Sequence, residues 1–181
     1  MPAPGDVQVL ILTGPPGVGK TTMAGILTER ASPAVHLEAD SFFRFIRSGY
    51  VEPWKPESHE QNGLVIRIVA EAAASYARAG YFTVVDGIVV PRWFLDPLRE
   101  VLHAAGLEVA YAVGRAPLSV CSSRLRERGE PSGDLGVLEG LWSEFADLGP
   151  FEENAVDLTD LGPEEAAEAI ARLLAEGRLR V

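Results

Sequence analysis

The sequence predicts a three-layer α/β fold, with a five-stranded parallel sheet and helices on both faces. Three observations lead there. Short, near-continuous apolar runs alternate with longer segments of helical period. Glycine or proline interrupts most of the joints between them. The first apolar run opens directly into a glycine-rich loop, and a helix-forming tail follows it. Strands apolar throughout suit a parallel sheet covered on both faces, and alternation with helices builds such a sheet through right-handed crossovers.

In chain order, the strand candidates are Val7–Thr13 (VQVLILT), Ala34–Ala39, Phe82–Val90, Glu108–Val113 and Ala155–Leu158. The helical candidates are Lys20–Ala31, His59–Ala79, Arg92–Ala105, Leu118–Arg128, Val137–Leu148 and Glu164–Glu176. Within the second of these, Leu64, Val65, Ile68, Val69, Ala72, Ala73, Tyr76 and Ala77 make the apolar stripe, with Arg67, Glu71 and Arg78 opposite. Gly80, Gly106, Gly129, Gly149 and Gly162–Pro163 stand at the joints. With no repeat, low-complexity tract or linker, residues 1–181 are expected to form one domain.

The chain has 181 residues, 47% hydrophobic and 23% charged, within the range of globular proteins. Its 26 acidic and 16 basic residues give a net charge of −10. That balance disfavours a nucleic-acid partner, because affinity for a phosphodiester backbone comes from Lys and Arg. No apolar stretch approaches the roughly 20 residues that cross a bilayer, and the start MPAPGDVQ lacks the basic region of a signal peptide. Cys121 is the single cysteine, so no internal disulfide forms and a cytoplasmic location is expected. A monomer or a homodimer is equally compatible with the sequence. Only two lysines occur, Lys20 and Lys55.

One of them falls where chemistry asks for it. Gly14-Pro15-Pro16-Gly17-Val18-Gly19-Lys20-Thr21 fits G-x-x-x-x-G-K-[ST], with Thr22 next in the helix. Glycines let backbone N–H groups converge on phosphate oxygens, and the new helix points its positive end at them. Lys20 would reach the β- and γ-phosphates of a nucleotide, and the Thr21 hydroxyl would ligate Mg²⁺. This is the loop of a P-loop NTPase fold, and the expected cofactors are ATP and Mg²⁺. GTP is not excluded as donor.

A GTPase would add D-x-x-G and N-K-x-D, and neither occurs. An AAA+ motor has a second helical domain and ends its second motif in Asp-Glu, whereas Asp86 is followed by Gly87. What remains resembles the small P-loop kinases, the shikimate, gluconate and adenylate kinase group. Three short motifs carry the resemblance. The first is Glu38-Ala39-Asp40-Ser41-Phe42-Phe43, where the resemblance makes Asp40 the carboxylate that orients or deprotonates the acceptor hydroxyl. Asp40 also suits a helix N-cap. The second is Val84-Val85-Asp86-Gly87, similar to a Walker B strand, with Asp86 holding Mg²⁺ through Thr21 and water. Asp-Gly is equally a common turn pair. The third is Cys121-Ser122-Ser123-Arg124-Leu125-Arg126-Glu127-Arg128-Gly129. There Arg124 and Arg128, four apart, share a face and would reach the phosphates when a short lid, about 129–136, closes.

Within the group, the Asp40-Ser41 pair resembles chloramphenicol phosphotransferase, and Ile88-Val89-Val90-Pro91-Arg92-Trp93-Phe94 resembles tunicamycin-resistance proteins. The acceptor region is expected at about 41–62 and in the loop after the third strand, with Arg44, Trp54 and Arg92 as substrate contacts. Aromatic residues interspersed with arginines can stack a ring and bind hydroxyl-rich or anionic parts. His36, His59 and His103 share no metal spacing, and Cys121, Trp142 and Phe145 read as packing. Asp157-Leu158-Thr159 falls where the group places the adenine-flanking loop. The expected activity is transfer of the γ-phosphoryl group from ATP to a hydroxyl of a small molecule, an antibiotic or a nucleoside or sugar. Two alternatives stay open: an ATP-binding protein that sequesters a ligand or regulates a partner, and a nucleic-acid-linked kinase or ATPase.

Overall fold

A computed structural model describes residues 6–127, 129 and 135–181, apart from the side chain of residue 135. Strands β1 (Val9–Thr13), β2 (Ala34–Glu38), β3 (Phe82–Asp86), β4 (Val109–Arg115) and β5 (Ala155–Asp157) form one sheet in the order β2-β3-β1-β4-β5. Every pairing is parallel. This is the predicted architecture, a P-loop NTPase-like kinase fold.

The period of two along the strands sorts side chains into two cores. Val9, Ile11, Val85, Tyr111 and Val113 face α2 (Ala39–Arg44), α3 (His59–Arg78) and α4 (Asp96–Ala104). Leu10, Leu12, Val84, Ala110 and Ala112 face α1 (Lys20–Glu29), α5 (Leu118–Glu127) and α7 (Pro163–Ala175). Each fully buried Leu or Val contributes about 1.5–3 kcal/mol relative to exposure. Cys121, Phe145 and the indole of Trp142, which donates to the Ala116 carbonyl at 2.9 Å, are packing residues as expected. Among the described residues, no helix is long and apolar enough to cross a membrane.

Three boundaries differ from expectation by more than two residues, each for a local reason. β3 ends at Asp86 rather than Val90. Beyond Gly87 the chain leaves the ladder, and the Val89 amide turns to the Thr13 hydroxyl at 2.8 Å. The fourth helix begins at Asp96, after a wide π-type turn over Pro91–Leu95. In that turn the amides of Trp93, Phe94 and Leu95 all donate to the Val90 carbonyl, at 3.1, 3.0 and 3.4 Å. Pro97 has no amide to give, so regular α-helical bonding starts around it. Helix α6 spans Leu135–Ser143, and Phe145 and Leu148 beyond it turn inward to the core.

The buried face of α3 is also rotated from the expected stripe. Asn62, Val65, Ile66, Val69, Ala70, Ala73, Ala74 and Ala77 are buried, whereas Leu64, Ile68 and Tyr76 are exposed. Packing selects the alanine-rich side, where small residues let the helix close on its neighbours. Tyr76 instead meets Tyr81 edge-on outside, at 5.9 Å between centroids.

Candidate nucleotide and acceptor site

The C-terminal ends of β1, β3 and β2 stand in register, with Leu12 opposite Asp86 and Asp86 opposite Glu38. Ligands of open α/β sheets bind at this edge. Here the loop between β1 and α1 rises from it. Gly14, Gly17 and Gly19 have φ of +141°, +81° and +106°, in the left-handed region where a side chain would be strained. A Cβ at Gly14 would sit 2.4 Å from the Gly114 carbonyl oxygen, and one at Gly17 would sit 2.3 Å from that of Cys121. The loop is therefore pressed against the β4–α5 floor. At Gly19 nothing lies within 4 Å, so the loop is open on the cleft side.

Helix α1 starts with no side-chain cap and no acidic residue in its first turn, which leaves its positive end to a ligand. Lys20 folds back over the loop and donates to the carbonyls of Gly14 and Pro15 at 3.0 and 3.2 Å. Thr21 and Thr22 are exposed in the first turn, and Val18 is buried. A cleft of about 450 Å³ above the loop brings Lys20 and Thr21 together with Glu38, Asp40, Arg44 and Asp86.

Three carboxylates meet there. Asp86 is buried, and its Oδ2 lies 3.3 Å from His36 Nε2. Asp40 sits in the first turn of α2, whose cap residue is Glu38 with no side-chain cap bond. The N-cap explanation for Asp40 thus falls away. Its carboxyl reaches solvent through the cleft, yet the surrounding protein removes much of its water. That desolvation pushes its pKa above the ordinary 3.8, and Asp86 and Glu38 add to the rise while Lys20 and Arg44 oppose it. Gly87 makes the meeting possible: a Cβ there would lie 2.8 Å from that of Ala39, at the root of α2.

Among the described residues, no three His, Cys, Asp or Glu side chains form a metal-binding group. Thr21 and Asp86 line the same cleft, and that donor pair suits a hard cation completed by phosphate and water oxygens. The residues therefore fit Mg²⁺ held with a nucleotide rather than by a cage of protein.

Arg124 is held by backbone carbonyls. Its guanidinium donates to the Val18 carbonyl at 3.3 Å and to those of Leu158, Thr159 and Leu161 at 3.0, 3.3 and 3.5 Å. These carbonyls join the phosphate loop to the segment after β5, beside a small recess lined by Gly19, Thr22, Met23, Leu158, Leu161 and Pro163. Leu158 lines that recess, and Asp157 holds Thr159 through its amide and hydroxyl. Arg128 and most of the expected lid lie outside the described residues.

The acceptor residues divide. Arg44 and Trp54 line a cavity of about 290 Å³ that shares Asp40, Arg44 and Ile88 with the phosphate cleft. Arg92 instead borders a neighbouring cavity and pairs across 3.8 Å with Asp147, both exposed. Sequence reading gave no role to Glu38, His36 or Ile88. Only the strand register shows that Glu38 faces Asp86 and that His36, two residues before it, shares its side of β2. Ile88 is held in place through its neighbour Val89, whose amide meets Thr13 and whose carbonyl accepts from the Tyr111 hydroxyl at 2.8 Å.

The parallel sheet, the glycine cradle and the carboxylates at its lip define a P-loop nucleotide-binding protein of the kinase type. Residues 9–145 match the AAA_33 family model, described as an AAA domain, and the chain belongs to that family of P-loop kinase-like proteins. A protein of Methanothermobacter thermautotrophicus described as a candidate adenylate kinase is 31% identical over 180 residues, covering 94% of this chain and 92% of that one. The Deinococcus radiodurans tunicamycin resistance protein is 26% identical with a TM-score of 0.70, over 93% of this chain and 95% of that one. The Mycobacterium tuberculosis APS kinase, solved with AMPPNP and APS, shares the fold with a TM-score of 0.72 at 17% identity, over 93% and 98% of the two chains.

Proposed function

We propose that this P-loop kinase-like protein transfers the γ-phosphoryl group of ATP to a hydroxyl of a small molecule. One observation carries the reading: Asp40 and Arg44 line both the phosphate cleft and the adjoining cavity, so a base stands where donor and acceptor would meet. In this reading, residues Gly14 to Thr22 hold the triphosphate. The Lys20 ammonium exchanges the loop carbonyls for β- and γ-oxygens, and the α1 N-terminus adds its dipole. Thr21 and Asp86 would hold Mg²⁺, whose charge would offset that of the phosphates. Asp40 orients the acceptor O–H and takes its proton, a task that its raised pKa favours. Arg124 keeps the recess beside Leu158 and Leu161 in shape for the nucleobase, and Arg128 would act on the phosphates from the lid. The chain works as one domain.

A nucleoside monophosphate as acceptor is the second reading, favoured by the 31% identical relative described as a candidate adenylate kinase. An antibiotic acceptor is favoured by the likeness to the tunicamycin resistance protein. Mass spectrometry of hydroxylated antibiotics, nucleosides, nucleotides and sugars incubated with protein, ATP and Mg²⁺ tests the reading. A product heavier by one phosphoryl group, absent with Lys20→Ala and Asp40→Asn, supports transfer. ADP formation with every candidate unmodified would replace it with ATP-dependent sequestration.

A further inference from the structure

Next to the phosphate cleft, the cavity of about 290 Å³ adjoins a second of about 500 Å³. Pro53, Trp54, Ile66, Trp93 and Phe94 line both. Aromatic rings normally cover most of their area when the fold can do so. Here Tyr50, Trp54 and Trp93 keep 44%, 53% and 50% of theirs exposed around one concavity. The wide turn at Pro91–Leu95 is what displays Trp93 and Phe94 to it.

Charge narrows the choice of ligand. Among the described residues, Arg44 is the only cation lining the inner cavity, and it is already bound to the Ser41 hydroxyl at 2.8 Å and to Glu38 at 3.5 Å. At the outer cavity Lys55 pairs with Glu52 at 2.8 Å, and Arg92 pairs with Asp147. A phosphate- or sulfate-bearing acceptor would ask for several uncommitted donors. A sugar would ask for polar partners all round, whereas the inner cavity is lined mainly by apolar and aromatic residues, with Asp40 and Arg44 its charged groups. The outer cavity is more polar, with Ser58, His59 and Asn62 among its lining.

We infer that the acceptor is an uncharged aryl alcohol that fills the inner cavity. Its hydroxyl lies at Asp40 and its ring lies against Trp54 and Trp93. The inference rests on the phosphotransferase reading above. In the step itself, the alcohol oxygen forms a bond to the γ-phosphorus of ATP. The bond from that phosphorus to the β–γ bridging oxygen breaks, ADP leaves with its electron pair, and the alcohol proton passes to Asp40.

The probes are 4-biphenylmethanol, D-glucose and AMP, each read twice: by quenching of tryptophan fluorescence and by mass spectrometry after incubation with ATP and Mg²⁺. Biphenylmethanol should bind at least tenfold tighter than the other two and gain one phosphoryl group. Trp54→Ala and Trp93→Ala should each weaken its binding by about tenfold, with Trp93→Phe restoring most of it. Unchanged affinity for an ATP analogue shows that these variants fold. Tighter binding or preferential phosphorylation of AMP or glucose overturns the aryl-alcohol inference and keeps the transfer reading. So does aryl binding that neither tryptophan variant changes. Aryl binding at the tryptophans, with ADP formed and all three probes unmodified, overturns the acceptor role and the transfer reading together.

Discussion

On the nucleotide side of Asp40 the site is made of backbone, whereas on the acceptor side it is made of side chains. Gly14, Gly17 and Gly19 shape the phosphate cradle by conformations that other residues resist, and two of them touch the floor closely enough to exclude a methyl group. The acceptor wall holds no such constraint. Trp54, Trp93, Phe94 and Ile66 line it by contact alone, and other apolar residues would fill the same space. A backbone site therefore tolerates almost no substitution, and a side-chain site can be re-cut without disturbing the fold.

That contrast breaks first at Gly17. Gly17→Ala forces a Cβ to within 2.3 Å of the Cys121 carbonyl at a φ of +81°, and should cost about 3 kcal/mol. Loss of ATP-analogue binding by calorimetry, with a lowered Tm, is the expected result. Intact binding would show that backbone rigidity does not define this half.

At the junction, Asp40→Asn should lower kcat by about 10²–10⁴-fold while leaving nucleotide affinity intact. Because burial raises the pKa of Asp40, the ionised, active form is lost as pH falls through that raised value. The acid limb of kcat/KM should lie above the ordinary aspartate value of 3.8 and vanish in the variant. The native state also holds the Asp40 proton more tightly than the unfolded chain, so ionisation near neutral pH works against stability. The variant should accordingly melt slightly higher at pH 7 in differential scanning fluorimetry. A lower Tm would mean that the ionised carboxylate is a net structural asset.

Arg124→Ala should raise KM for ATP by about tenfold without changing KM for the acceptor, since it frees three carbonyls after β5 and one in the phosphate loop. An effect on acceptor KM alone would move Arg124 to the other half. The smallest effect belongs to Arg92→Ala, because an exposed ion pair across 3.8 Å contributes little. Its kcat/KM should stay within about twofold of the parent, and a tenfold loss would make Arg92 a direct substrate contact.

The same contrast explains what the sequence made legible. Glycine spacing and one lysine identify the cradle, because backbone geometry leaves a mark in residue type. Alternating apolar runs identify the sheet for a similar reason. The side-chain half left fainter marks. Arg44 and Trp54 stand at the inner cavity, but Arg92 stands outside it. The exposed aromatics near Pro91 depend on a wide turn that no periodicity announces. Glu38 and His36 acquire meaning only from the register of β2 with β3, which comes from tertiary pairing. The buried face of α3 departs from its apolar stripe because close approach favours Ala70 and Ala74 over the larger Leu64, Ile68 and Tyr76.

Val89 is gripped at both of its polar atoms, by a hydroxyl from β1 and a hydroxyl from β4. It sits directly after Ile88, the residue common to both compartments. Its amide proton should exchange with solvent only when the whole sheet opens. The partition between the two chambers is thus a fixed datum rather than a valve, and any closing motion during turnover has to come from the outer walls moving toward it.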